Sequence, residues 1–141
     1  MAQAALDLSQ PFGVKADRRL REDLMIWISS VRPDGRPHTV PVWFLWDGAT
    51  LLIFSKPDQK VRNLQHDPRV MLGLDNTKDG SDVILIEGEA TLLPPGEIDT
   101  TFPPYAAKYA GRFQRLNWSA ENMATTYTQA IRITPTRFIG H

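Results

Sequence analysis

Residues 36–68 constrain the fold more than any other part of the chain, because β-rich runs alternate there with tight turns. The first run covers 38–46 and ends in a Trp-Asp-Gly-Ala hairpin turn, and the second, TLLIFS, covers 50–55. A short helix is predicted over 58–66 and ends at Asp67-Pro68. Connections this short favour an antiparallel sheet, because parallel strands need longer crossovers.

The rest of the chain repeats this pattern of strands joined by short links. Periodicity predicts further strands over 25–31, 69–74, 83–93, 129–133 and 137–139. Helices are predicted over 15–23 and over most of 97–127, with a break near Pro103-Pro104 and a restart at Ser119. We therefore predict a mainly β, α+β fold, a small antiparallel β-barrel with flanking helices. Residues 1–14 are interpreted as a flexible N-terminal arm, and 15–141 as a single domain.

Three local signals refine this prediction. Pro33-Asp34-Gly35 predicts a turn, because proline sets one φ and glycine accepts a positive one. Pro41 cannot donate a ladder hydrogen bond, so its strand is expected at a sheet edge or with a bulge. Gly88, inside the long strand, predicts a bulge or a close backbone approach.

The composition excludes several classes of function. Lys+Arg and Asp+Glu both number 16, which argues against a general nucleic-acid or membrane-surface binder, since these need a basic excess. Cysteine is absent, which excludes disulfides, thiolate metal sites and cysteine nucleophiles and fits a cytoplasmic protein. The N-terminus lacks the pattern of a signal peptide, and no apolar stretch reaches the length of a membrane span.

Several common catalytic motifs are also missing from the sequence. It contains no G-x-G-x-x-G, Walker A, H-E-x-x-H or G-x-S-x-G pattern. The three histidines lack the spacing of metal ligands, so no metal is expected: His38, His66 and His141. No side chain is assigned as a general acid or base.

A cationic cluster at the junction of a strand and a helix is the first positive signal. Ser55 and Lys56 end the strand, Lys60 lies on the first helical turn, and Arg62 follows. A cluster of this kind is often a solvated helix face. However, the helix dipole disfavours cations at this end, and a bound phosphate would remove that conflict.

The strand over 39–44 gives the second signal. Its aromatic residues fit an ordinary amphipathic strand with a packed face. Alternatively, a planar, flavin-like cofactor could lie along it, because backbone groups beside Pro41 would lack ladder partners. Trp43 and Phe44 would then shape the substrate side.

The helical region contributes aromatic and basic residues whose role is open. Trp118, Tyr105 and Tyr109 either pack against the barrel or form a lid over a ligand. Lys108, Arg112 and Arg115 are interpreted as a basic face, with solvation as the simpler role.

The order D-G-R-P-H-T-V-P-V-W-F, W-D-G, L-I-F-S-K-P-D-Q-K-V-R-N-L and D-P-R-V resembles the pyridoxamine 5'-phosphate oxidase-like split-barrel superfamily. More narrowly, it is similar to the flavin/deazaflavin oxidoreductases of the F420-dependent branch. The resemblance covers residues 17–141. The stretch H-T-V-P-V-W lacks the Arg and Lys pair of the true pyridoxamine phosphate oxidases, so that reaction is not expected.

The resemblance implies a split β-barrel and a homodimer with cofactor sites at the subunit interface. It implies a cofactor phosphate near Ser55, Lys56 and Lys60, with Arg62 and Asn63 adjoining the same motif. It also implies a cofactor ring beside five residues of one strand: Thr39, Val40, Pro41, Val42 and Trp43.

Three functions remain open from the sequence. The first is an enzyme that uses coenzyme F420 to transfer a hydride to a small unsaturated or electrophilic substrate. The second is an FMN-dependent oxidoreductase of the same fold, because both cofactors present a ribityl phosphate. The third is a protein that binds a flavin, a deazaflavin or haem without turnover.

Overall fold

A computed structural model describes residues 2–140, so expectations that include Met1 or His141 lie outside the described residues at those positions. The strands within this range are Ile26–Val31 (β1), Pro37–Val42 (β2), Leu45–Trp46 (β3), Leu51–Ser55 (β4), Arg69–Leu74 (β5), Ile84–Leu92 (β6) and Gln129–Ile139 (β7). The helices are Pro11–Glu22 (α1), Gln59–His66 (α2), Pro103–Leu116 (α3) and Ala120–Thr126 (α4).

All of these strands form one antiparallel, curled sheet in the order β2-β1-β5-β6-β7-β4-β3. The predicted antiparallel split β-barrel with flanking helices is therefore confirmed. Pro41 lies in β2, which pairs with β1 alone within residues 2–140 and so forms one edge. A proline is tolerated there because the outer side of an edge strand has no ladder to interrupt.

The turns form as predicted. Gly35 has φ +89° and its N–H donates to the carbonyl of Arg32 at 2.8 Å. In the β3–β4 hairpin, Gly48 has φ +97°, and the Asp47 carboxylate accepts from the N–H groups of Ala49 and Thr50. These are the positive-φ glycine and the Asx contact that such turns require.

The predicted irregularity at Gly88 is confirmed. The β6–β7 register shifts between Glu87 and Gly88, and a Cβ at Gly88 would lie 2.9 Å from the carbonyl oxygen of Thr134. The expectation of two closing strands was wrong, because β7 runs unbroken from Gln129 to Ile139 and absorbs Pro135 opposite this shift.

The helices differ from the prediction at their starts. α1 begins at Pro11, so the boundary predicted after residue 14 falls inside this helix. Ala4 upstream donates its N–H to the carbonyl of Pro135, while the flexibility of the arm stays a prediction.

Pro103 starts α3 rather than breaking it, because the first helical position needs no N–H donor. Ser119 caps α4 as predicted, accepting from the N–H of Asn122 at 3.0 Å.

The apolar side chains form two clusters on either side of β4. One fills the curl of the sheet and includes Ile28, Ile53 and Ile86. The other packs α3 and α4 against β4 and is built around Phe54, Tyr105, Tyr109, Phe113 and Met123. Because β4 is buried on both faces, the junction that follows it is held between two packed layers.

Candidate functional site

A cleft of about 370 Å³ opens where β2 ends, where β4 meets α2, and beneath the residues that follow α3. We call it the β4–α2 cleft. Most of the predicted site residues line it: Val40, Pro41, Val42, Trp43, Ser55, Lys56 and Lys60. The residues predicted to bind the cofactor phosphate and the strand predicted to bind the cofactor ring therefore line the same cleft.

Lys60 is the central cation of the β4–α2 cleft. Its side chain is 5% exposed, and Nζ donates to the Ser55 hydroxyl at 2.8 Å. The end of β4 fixes Ser55, and the first turn of α2 fixes Lys60, so the pair is set by the strand–helix junction. A buried ammonium beside a hydroxyl favours an anionic ligand, because a charged partner offsets the cost of burying the cation.

Asp58 supplies the negative partner of Lys60 within the chain. Its carboxylate accepts from Lys60 Nζ at 3.2 and 3.3 Å and from the N–H of Val61, which caps α2. Burial is the largest single influence on Asp58 and opposes its ionisation, but the charge of Lys60 and the hydrogen bonds from Lys60, Val61 and Ser55 together outweigh it and lower the pKa of the carboxyl. Asp58 therefore stays ionised, and it contacts the same Lys60 ammonium that a phosphate would contact.

Lys56 lies at the open side of the cleft. It is exposed, and its Nζ stands 5.4 Å from the centre of the Tyr127 ring. The contact has cation–π geometry and holds the lysine above the end of β4. Lys56 can therefore reach an anion without leaving the site.

Trp43 forms an aromatic wall of the cleft. Its ring stacks on Tyr109 with centroids 4.5 Å apart and an interplanar angle of 3°. Phe44, expected beside it on the substrate side, is fully buried in the sheet core instead. Neighbouring residues in an extended chain point to opposite sides, so one of the two had to face away.

The ring strand is an edge strand with one unpaired side. Within the described residues β2 pairs with β1 alone, so backbone groups on its other side remain available to a ligand. Thr39 lies outside the lining of the cleft, and its hydroxyl pairs with Ser29 at 2.7 Å.

Arg62 and Asn63 do not line the cleft. Arg62 is exposed and donates to the side chain of Gln59 at 3.0 Å. Asn63 is fully buried and donates to the Ser30 hydroxyl at 3.0 Å, which ties α2 to β1. In this chain Asn63 thus makes a structural bond, and a ligand contact by Arg62 stays a prediction.

The aromatic residues of the helical region were expected either to pack against the barrel or to cover a ligand, and the structure places them differently. Tyr105 and Tyr109 are fully buried and pack against the sheet. Trp118 is 44% exposed and lines the cleft. Sequence reasoning missed Phe54, Leu116, Met123 and Tyr127 as lining residues. Phe54 precedes Ser55 on β4, so its place beside the cleft could have been predicted from the strand. The positions of the other three depend on how α3 and α4 pack against β4.

The expected basic face on α3 was wrong at Lys108. This side chain is largely buried, and its Nζ donates to the carbonyl of Phe44 at 2.7 Å and lies 3.8 Å above the Phe44 ring. Burial lowers the pKa of Lys108 to about 8. Arg115 remains exposed, and Arg112 is partly buried.

Two features are absent from residues 2–140. No group of three acidic, histidine or cysteine side chains in this range could hold a metal ion. No helix in the same range has both the length and the apolar character needed to cross a membrane.

Comparison with known proteins gives one family and several similar structures. The family model described as pyridoxamine 5'-phosphate oxidase matches residues 14–141. An F420 reductase is 25% identical, with a TM-score of 0.65 over 87% of this chain and 94% of that one. A FAD-binding protein from Mesorhizobium loti is 19% identical, with a TM-score of 0.64 over 89% and 88%. The haem storage protein HutZ from Vibrio cholerae is 14% identical, with a TM-score of 0.65 over 97% and 95%.

Proposed function

Because the chain belongs to the pyridoxamine 5'-phosphate oxidase family, we propose that it is a cytoplasmic oxidoreductase that uses coenzyme F420. It transfers a hydride between this deazaflavin and a small unsaturated or electrophilic substrate. The observation that carries the proposal is the β4–α2 cleft, where the Lys60–Ser55 pair lies beside the open edge of β2. The similarity to an F420 reductase supports the choice of cofactor.

The phosphate of the cofactor is held by Lys60, Ser55 and Lys56. Lys60 gives the strongest contact, because its ammonium is buried and charge-assisted hydrogen bonds strengthen where water is excluded. Ser55 donates its hydroxyl to the carbonyl of Lys56 at 2.6 Å and can turn to the phosphate. Asp58 must yield its contact with Lys60 when the phosphate arrives.

Val40–Trp43 would hold the ring of the cofactor. The outer backbone groups of β2 would bond its polar edge, and Trp43, which stacks on Tyr109, would pack against its apolar surface. When bound, the deazaflavin itself supplies the hydride chemistry. The chain binds and orients it, and Trp118 and Tyr127 shield it from water. Solvent supplies any proton, so no side chain is assigned as an acid.

We also propose that the active form is a homodimer with the cofactor at the interface. Trp27 lies opposite Pro41 in the β1–β2 register and is 45% exposed. An exposed tryptophan beside the ring strand is the type of residue that protein interfaces bury. A second copy on this face would cover the open side of the cleft.

FMN is the second candidate cofactor, because the Lys60–Ser55 pair would hold its phosphate equally well. Met123 and Tyr127 in the lining of the cleft are of residue types that can ligate haem iron. The buried Lys60–Ser55 pair, however, favours a phosphorylated cofactor over haem.

Binding titrations of the purified protein with F420, FMN and haem test the proposal. We expect F420 to bind tightly, as measured by the quenching of its fluorescence, and FMN to bind more weakly. Riboflavin, which lacks the phosphate, should bind more weakly than FMN. Tight FMN with weak F420 would replace F420 by FMN in the proposal. Binding of neither would remove the cofactor assignment.

Turnover separates an enzyme from a carrier. Reduced F420 is mixed with the protein and a panel of activated alkenes and quinones, and its reoxidation is followed by absorbance. Reoxidation that needs both protein and acceptor supports the oxidoreductase. Tight binding without reoxidation by any acceptor would indicate storage or transport of the cofactor instead.

A further inference from the structure

A second cavity, larger than the β4–α2 cleft, lies at the other end of α3. Its volume is about 530 Å³, and it opens between the end of α1, the β3–β4 hairpin and the first half of α3. The two cavities have no lining residue in common. We call it the α3 N-terminal cavity, and its occupant would be distinct from the cofactor of the proposed function.

The charged side chains of this cavity are unbalanced. Arg21, Lys108 and Arg132 line it, against one carboxylate, Asp47. Asp47 already accepts three bonds from its own hairpin, and Arg132 approaches it at 3.8 Å. Arg21 pairs with Asp17 outside the cavity lining. The cavity therefore carries an excess of positive charge.

Lys108 has the least compensation among these cations. Its Nζ bonds to a neutral partner, the carbonyl of Phe44 at 2.7 Å, and faces the Phe44 ring. No ion pair found among the described residues includes Lys108. Burial lowers the pKa of Lys108 to about 8, against a weaker opposing attraction from the carboxylate of Asp23, which itself pairs with Arg19. An ammonium withdrawn from solvent with no carboxylate bonded to it is stabilised by an anion from outside the chain.

The remaining walls of the cavity are apolar. They are formed by Leu45, Leu52, Phe102 and Pro104. An apolar surface with a few placed polar groups is the usual composition of a small-molecule site. A ligand with one negative group and a hydrocarbon body would satisfy both parts of the cavity.

We propose that the α3 N-terminal cavity binds a small carboxylate with an aryl or branched-alkyl body, and that Lys108 receives the carboxylate. The apolar walls bury the body of the ligand, and Arg21 and Arg132 add charge at the rim.

The indole N–H signals of the four tryptophans report which cavity a ligand enters. Trp46 lines the α3 N-terminal cavity, whereas Trp43 and Trp118 line the β4–α2 cleft. ¹⁵N-labelled protein is titrated with 3-phenylpropanoate, and the signals are assigned with single Trp→Phe variants. We expect a saturable shift of the Trp46 signal, and a much weaker response to the neutral 3-phenylpropanamide.

Variants on α3 identify the residue that recognises the carboxylate. Lys108→Met keeps the length of the side chain and should weaken the probe about tenfold, the loss of one charge-assisted hydrogen bond. Arg115→Met, exposed on the same helix, removes equal charge and should leave the affinity unchanged. The proposal is overturned if Trp46 does not shift, if only Trp43 and Trp118 shift, or if the acid and the amide bind alike. The last comparison uses unaltered protein and does not depend on how a variant folds.

Discussion

Lys60 and Lys108 are both withdrawn from solvent, but the chain stabilises them in opposite ways. Lys60 has the carboxylate of Asp58 and the hydroxyl of Ser55 within hydrogen-bond distance. Lys108 has a backbone carbonyl and an aromatic ring. The difference teaches that a ligand at Lys60 must displace an internal anion, whereas a ligand at Lys108 would supply a missing one.

The largest effect is expected from removing Lys60. Lys60→Met should weaken binding of the phosphorylated cofactor by about 1–3 kcal/mol, the range for a charge-assisted hydrogen bond. Lys108→Met should leave that affinity within about twofold, since Lys108 does not line the cleft. Fluorescence titration of both variants measures the difference, and equal losses would show that the two lysines serve one site.

A smaller and opposite effect is expected at Asp58. Asp58→Asn keeps an oxygen to cap α2 but removes the negative charge from Lys60, so the cofactor should bind several-fold more tightly. The gain is limited because the carboxylate is 45% exposed and partly screened. The same titration measures it, with FMN against riboflavin as the control. Weaker cofactor binding in Asp58→Asn would mean that the carboxylate supports the phosphate site rather than competing for it.

The next largest effect is expected in the pH dependence of stability, to which Lys108 should contribute. The folded-state pKa of Lys108 is about 8, below its ordinary 10.5, because burial disfavours the charge. Above pH 8 the folded chain has released this proton while the unfolded chain still binds it, so stability should rise with pH toward 10.

Thermal unfolding of the wild type between pH 7 and 9.5 should therefore show a rise of a few degrees that Lys108→Met lacks. This range stays below the ordinary pKa of 10 at which Tyr105 and Tyr109 lose their protons in the unfolded chain, and burial raises both pKa values further in the folded chain. A rise that persists in Lys108→Met would assign the effect to another group.

The smallest effect is expected at Arg62. Its guanidinium is exposed and bonds to Gln59, so Arg62→Gln should change cofactor affinity by less than about twofold. A loss comparable to that of Lys60→Met would show that Arg62 turns into the site when the cofactor binds.

The fold was predictable because its signals are local. The turns at Gly35 and Gly48, the edge position of Pro41 and the shift at Gly88 each follow from what one residue allows its backbone. The contact between Ser55 and Lys60 was predictable for the same reason, since a single strand–helix junction joins the two residues.

The rest of the site depends on contacts between distant segments. Lys108 was assigned to a solvated face because nothing near it in sequence shows that Phe44, which lies between β2 and β3, packs beneath it. Tyr127 and Met123 reach the cleft through the path of α3 and α4. Phe44 is different, because the sequence prediction placed it with Trp43 on the substrate side, although the alternation of side chains along an extended chain puts neighbouring residues on opposite sides.

The edge that exposes backbone to a ligand has a second consequence, for how copies of the chain associate. β2 contains both Pro37 and Pro41, and the opposite edge, β3, is two residues long. Within the described residues, neither edge offers the long run of donors on which further strands stack into fibres. The sheet can thus leave one side of β2 open without inviting indefinite growth.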